Sequence, residues 1–223
     1  MISISNMGII ALLLLFISAL PSSADDELKY GSKVLWQDVD EARPLVALPP
    51  STFNYVNDGV PGFGPGDPVY LHFPPPLLVN GNDIRLTPFG SIPAGTQVKI
   101  GDPDFGNTLL PLPATVVYFD VNGDVLYSLG DPVYLDVLPF GSISAGDIRI
   151  TGYLGYEAGS RVMDAQADNN KPTLTLPGML SFFNVNGNLA PGSFAVYDYG
   201  DLVYIDTQWP FFVVTINDVR LTS

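Results

Sequence analysis

A tetrapeptide that returns at a fixed interval constrains this chain more than any other feature. Gly31-Ser32-Lys33-Val34 comes back as Gly95-Thr96-Gln97-Val98 and again as Gly159-Ser160-Arg161-Val162, 64 residues further on each time. The same offset carries Asp40 to Asp104 to Asp168, Leu48-Pro49 to Leu112-Pro113 to Leu176-Pro177, and Tyr55 to Phe119 to Phe183. So many coincidences at one offset identify tandem copies at 31–94, 95–158 and 159–223. The third copy slips after Asn188, where about six residues are inserted near 190–195. The copies are apolar enough to pack on one another like stacked repeats.

A shorter period runs inside each copy. Asp67-Pro68-Val69-Tyr70-Leu71 is followed by Asp83-Ile84-Arg85-Leu86-Thr87, and the pattern returns at Asp131 and Asp147 and at Asp201 and Asp218. Three residues before each Asp stands a turn or cap former, Gly64, Asn80, Ser128, Ser144, Asp198 or Thr215. Ser-x-x-Asp approximates the capping box that opens a helix, which predicts a helix of one or two turns after each loop. The competing reading is a strand, because Val-Tyr-Leu and Ile-Arg-Leu-Thr are β-prone. Residues 97–100, 115–119 and 179–183 are β-branched or aromatic runs between Pro, Gly or Asn, and they read as strands. The expected class is therefore α+β and β-rich, with an all-β fold as the alternative.

Composition narrows the function. Residues 1–24 carry no charge and hold an apolar run from Gly8 to Phe16 before a small-residue stretch ending at Ala24. This reads as a secretory signal peptide, with a retained anchor helix as the other reading. Residues 25–30 form an N-terminal arm, and no later segment is apolar enough for a membrane span. The 23 acids and 9 bases give a net charge of −14, which repels nucleic acid and suits cations. Cysteine is absent and His72 is the only histidine, so disulfides, thiol nucleophiles and Ser-His-Asp chemistry lack material. The acids fall in turns without a catalytic pattern, and the expectation is that the protein is not an enzyme.

The best chemical constellation is Asp120-Val-Asn122-Gly-Asp124-Val-Leu126-Tyr-Ser128-Leu-Gly-Asp131. Counted from Asp120, oxygen side chains occupy positions 1, 3, 5, 9 and 12, with the Leu126 carbonyl at 7, the hard-oxygen set calcium requires. A second, poorer loop runs from Asp136 through Ser144 to Asp147. These loops resemble dockerin-type and related EF-hand-like calcium modules, which use Asp-x-Asn-x-Asp-Gly and a terminal Asp in paired copies. The resemblance implies calcium at Asp120–Asp131 and exiting helices, although Val125 stands where the family has Gly.

Arg85, Arg149 and Arg220 share one position, two after each second-loop Asp, and are expected to pair with leftover loop carboxylates. Asp38, Asp40, Asp102, Asp104, Asp164 and Asp168 read as polar turns, with a second cation site as the other reading. Together these features point to a secreted, calcium-stabilised structural protein of the cell surface that stacks head-to-tail, because its repeat phase would let one molecule continue another. The alternative is an extracellular calcium-dependent binding or adhesion module for protein or polysaccharide.

Overall fold

The computed structural model describes residues 29–222 except 37, 48, 50, 74–76, 138–139, 186, 188, 191–193, 196 and 208–211. The expected signal peptide, most of the arm and part of the copy-three insertion lie outside the described residues. Among the described residues the chain is all-β, and the α+β expectation is overturned. Strands β3 (Val69–His72), β7 (Val133–Val137) and β13 (Leu202–Asp206) stand where the cap signals predict helices. The reason is burial on both faces. Val69 and Leu71 enter a core shared by all three copies, while Tyr70 turns into a second cluster with Val79, Val98 and Leu109. A period of two residues satisfies both clusters, and a helix would not.

Each copy supplies three strands of a four-stranded antiparallel sheet, and the next copy supplies the fourth. In sheet one, β2 (Thr52–Tyr55), β3 and β4 (Ile84–Arg85) are joined by β5 (Leu110–Pro111) from copy two. Sheet two joins β6 (Ala114–Tyr118), β7 and β8 (Ile148–Arg149) to β9 (Leu174–Thr175) from copy three. Sheet three joins β10 (Met179–Phe183), β13 and β14 (Val219–Arg220) to β1 (Val46–Ala47), which comes from copy one. The repeat therefore closes into a ring. The copy-three insertion forms a separate hairpin of β11 (Leu189–Ala190) and β12 (Phe194–Ala195).

The ring has one shared interior. Val69, Val133 and Val203 face it from the three central strands, with Leu71, Leu135 and Ile205 beside them. Each sheet's outer face is covered by the front of the following copy, Val98 and Leu109 over Tyr70, Val162 over Tyr134, and Val34 and Leu45 over Tyr204. Burying both faces of central strands removes apolar area from water at about 25 cal/mol per Å².

The fixed offset fails at one strand. Tyr55 pairs with Val69, but Tyr118 pairs with Val133 and Phe182 with Val203. The true equivalents are Tyr55, Tyr118 and Phe182, all in the shared core, whereas Phe119 and Phe183 pack outside. Copy one carries one extra residue before β2 and one fewer after it. Without that compensation the strand would turn its apolar face outward, since a one-residue slip inverts every side chain.

Where the copies meet, three glycines are required by close approach. A Cβ on Gly31 would lie 2.4 Å from the Ala158 Cβ, on Gly95 2.3 Å from the Tyr30 Cβ, and on Gly159 2.5 Å from the Ala94 Cβ. Tyr30, Ala94 and Ala158 are equivalent positions, so one large ring and two methyls share the space, and the Tyr30 hydroxyl donates to the Leu86 carbonyl at 3.0 Å. Gly95→Ala, at φ +79° with no room for its methyl, is expected to cost about 2–4 kcal/mol. Gly101→Ala shares the backbone strain at φ +97° but has open space. A thermal or urea melt should show the larger loss at Gly95.

Candidate functional site

The six loop-ending acids share one local structure. Asp131 accepts the Val121 N–H at 2.9 Å on one oxygen and the Ser128 N–H at 2.8 Å on the other. Asp147 does the same with Val137 and Ser144, at 2.8 and 2.7 Å. Asp67, Asp83, Asp201 and Asp218 repeat it with Asp58 and Gly64, Phe73 and Asn80, Val185 and Asp198, and Thr207 and Thr215. Each carboxylate thus staples the two ends of its loop. The bond to the third residue back is the geometry a helix cap would have, but the chain beyond it extends.

In the calcium-like loop, Asp120 accepts the Gly123 and Val125 N–H groups, both at 2.7 Å. Asn122 accepts the Asp124 N–H at 3.1 Å, and Asp124 accepts the Leu126 N–H at 2.8 Å. Val125 adopts φ +62°, the left-handed conformation, in the position where the resembled family carries Gly. The loop is compact and outward-facing, with Asn122 and Asp124 exposed. Its carboxylates already hold backbone donors, so a cation would have to share or displace those bonds. Among the described residues no three His, Cys, Asp or Glu side chains gather to hold a metal ion.

Asp136 and Asp147 do come together, buried at 0 and 1 % exposure. Asp136 accepts the Gly141 N–H at 3.2 Å on one oxygen, and its other oxygen has no partner among the described residues. The equivalent position in copy one is His72, whose Nδ1 lies 3.0 Å from both oxygens of Asp83. Copy three has a second acid pair, Asp206 and Asp218. Burial, then the facing acid, pushes the Asp147 and Asp218 carboxyls up to about 6.

The arginines find carboxylates, but not those of the loops. The Arg149 Nε and Nη2 donate to the two oxygens of Asp168, each at 2.8 Å. Nη2 also reaches the Gln166 Oε1 at 2.7 Å, and Nη1 reaches the Ser160 Oγ at 3.1 Å and the Arg161 carbonyl at 2.8 Å. Tyr134 donates to the same Asp168 at 3.0 Å. Arg85 repeats this with Asp104, Asp102, Thr96, the Gln97 carbonyl and Tyr70. Arg220 repeats it with Asp40, Asp38, Ser32, the Lys33 carbonyl and Tyr204. In every case the partners lie in the following copy, and Arg220 closes the ring onto copy one. The polar turns at Asp40, Asp104 and Asp168 are therefore buried halves of ion pairs, while Asp164 is exposed.

A second set of contacts joins the sheets at the position of Lys33, Gln97 and Arg161. Lys33 donates to the Ser128 and Asp131 carbonyls at 2.7 and 2.6 Å and lies 4.3 Å over the Tyr127 ring. Gln97 donates to the Tyr197 hydroxyl at 2.7 Å and the Asp198 carbonyl at 3.3 Å. Arg161 donates to the Asp67 carbonyl and lies 4.3 Å over the Phe63 ring. Each copy's crossing residue thus grips another copy's first loop, and neither the three residue types nor their partners were predictable from the repeat alone.

Comparison of the chain with protein-family models, with curated proteins and with solved structures returns no match. Among the described residues no helix is long and apolar enough to cross a membrane.

The buried charges set two expectations. Arg149→Met leaves the Asp168 carboxylate without its main partner and should cost about 3–5 kcal/mol in a denaturant titration. The protonated forms of Asp147 and Asp218 are favoured in the fold, so their stabilising effect is complete in acid and is lost as pH rises through about 6. Stability should therefore fall between about pH 4 and pH 6 and level off above about pH 7, by roughly 3 kcal/mol per group, read from melting temperatures across that range. Asp136→Asn should shrink only the Asp147 share of that fall, because burial remains and Asp218 is untouched.

Proposed function

We propose that this chain is a secreted, non-catalytic structural protein of the cell surface: a rigid three-sheet ring that self-associates and takes calcium at the 120–131 loop. The observation that carries this reading is the use of the same charged groups for architecture in all three copies. Three arginines, their acids and six loop staples are all engaged in holding the fold, as suits a display scaffold. The apolar segment 8–16 and the absence of cysteine accord with export of a chain that needs no disulfide.

The route of association differs from simple stacking of repeats. The edge that a second molecule would have continued is occupied by β1 of the same chain. Exposed apolar side chains offer another surface: Trp36 at 73 % and its equivalent Ile100 at 86 %, each at the turn of a sheet cover. Calcium would draw on Asp120, Asn122, Asp124, the Leu126 carbonyl, Ser128 and Asp131, neutralising carboxylates in a strongly acidic chain. A binding-module reading is favoured by one separate observation, a cleft where copies one, two and three meet.

Size-exclusion chromatography with light scattering tests the proposal on the secreted protein in calcium and in chelator. Mass should rise with concentration, and Trp36→Ser combined with Ile100→Ser should lower it. A monomer at every concentration would overturn the assembly reading. Calcium should stabilise the fold by RT ln(1 + [L]/Kd), about 2.7 kcal/mol at a hundredfold excess over Kd, seen as a higher melting temperature, and Asp124→Asn should reduce the gain.

A further inference from the structure

Arg161 is an anomaly among the three crossing residues. Tyr127 and Tyr197 each donate a hydroxyl across the joint, to the Asn217 and Asn82 carbonyls, both at 3.2 Å. Phe63 stands at the equivalent place without a hydroxyl, and the Gly146 carbonyl there accepts Arg161 Nη1 instead, at 3.3 Å. A cleft of about 720 Å³ lies at this joint, lined by Phe63, Asp67, Arg161, Asp164 and Gln166 among others. That volume is within the range of small-ligand sites.

The guanidinium in this cleft has no carboxylate partner among the described residues; its bonds run to two backbone carbonyls. Burial lowers its pKa to about 10. The joint itself needs no guanidinium: Lys33 makes it with a compact ammonium on two carbonyls over the Tyr127 ring, and Gln97 makes it without a charge. Architecture alone therefore does not account for an arginine here. The two carbonyl bonds leave further N–H donors in a planar fork that matches a carboxylate.

The surroundings narrow the ligand. Asp67 spends its oxygens on the Asp58 and Gly64 N–H groups, and Asp164 is exposed, so the cleft carries negative charge beside its cation. That disfavours phosphates and other multiply charged anions. It leaves a single carboxylate together with hydroxyl groups that Asp164 and the Gln166 amide can engage. We infer that this cleft binds a sugar-sized monocarboxylate, with the carboxylate on Arg161 and the hydroxyls toward Asp164 and Gln166. The site does not depend on self-association or on calcium.

The test is an NMR titration of the full chain with glucuronate, gluconate, glucose, acetate and phosphate. Glucuronate should shift the amides of residues 63–68 and 160–166 to saturation, and glucose should not. Gluconate binding as tightly as glucuronate would keep the class and assign it to open-chain hydroxy acids. Acetate, phosphate or glucose binding as tightly as glucuronate would overturn the proposal. Phe63→Tyr with Arg161→Gln rebuilds the joint that Tyr197 and Gln97 already make, so this variant keeps its fold. It should weaken glucuronate binding by about tenfold or more. Unchanged binding in that variant would also overturn the proposal.

Discussion

The five hydrogen bonds of each buried arginine are the interaction on which the rest of the fold depends. A guanidinium has five N–H donors, and Arg85, Arg149 and Arg220 use all of them at 1, 0 and 2 % exposure. An ion removed from water to that extent is tolerated only when every donor is matched, and here the matching groups come from the next copy. Each arginine therefore specifies which segment may cover which sheet. The covering segment then supplies the apolar residues that seal the outer face and the strand that completes the edge. One polar cluster fixes register, neighbour and closure together.

The acidic composition takes on a different meaning in this light. The six staple acids and the three buried acids of the ion pairs, Asp40, Asp104 and Asp168, are spent on backbone donors and guanidiniums in the interior. Copies two and three each bury a facing acid pair where copy one has His72 against Asp83. That substitution shows the scaffold accepting a ring nitrogen or a second carboxyl at one position. The loops at the surface, such as 120–131, keep their exposed oxygens.

Much of this was legible in the sequence, and the failures have physical causes. The period identified three packed units because identical spacing implies identical burial. The Ser-x-x-Asp signal marked real carboxylate staples, yet it is a statement about one turn. The path of the chain beyond that turn is decided by packing on two faces, which Val133-Tyr134-Leu135 satisfies only as a strand. The fixed offset misassigned Tyr55 because a compensated one-residue shift is invisible without the ladder. The arginines and their acids both stood out at constant offsets. Their pairing did not, because each bond crosses from one copy to the next. The cleft at Arg161 arises from small differences, Phe63 for Tyr and Arg for Gln, that a repeat alignment treats as noise.

Closure by the segment before β2 also has a consequence in time. Residues 31–47 leave the ribosome well before their partners Tyr204, Val219 and Arg220. Sheet one can be completed once the front of copy two, through β5, has emerged, and sheet two once the front of copy three, through β9, has. Sheet three must wait for β13 and β14 while its cover stays unpaired. Native structure is then reached in one late step that joins residues 180 positions apart, the kind of contact whose loop entropy must be overcome before it stabilises anything. A cell making this protein has to keep Asp38, Asp40 and the edge of β1 from finding a neighbouring chain until their own Arg220 arrives.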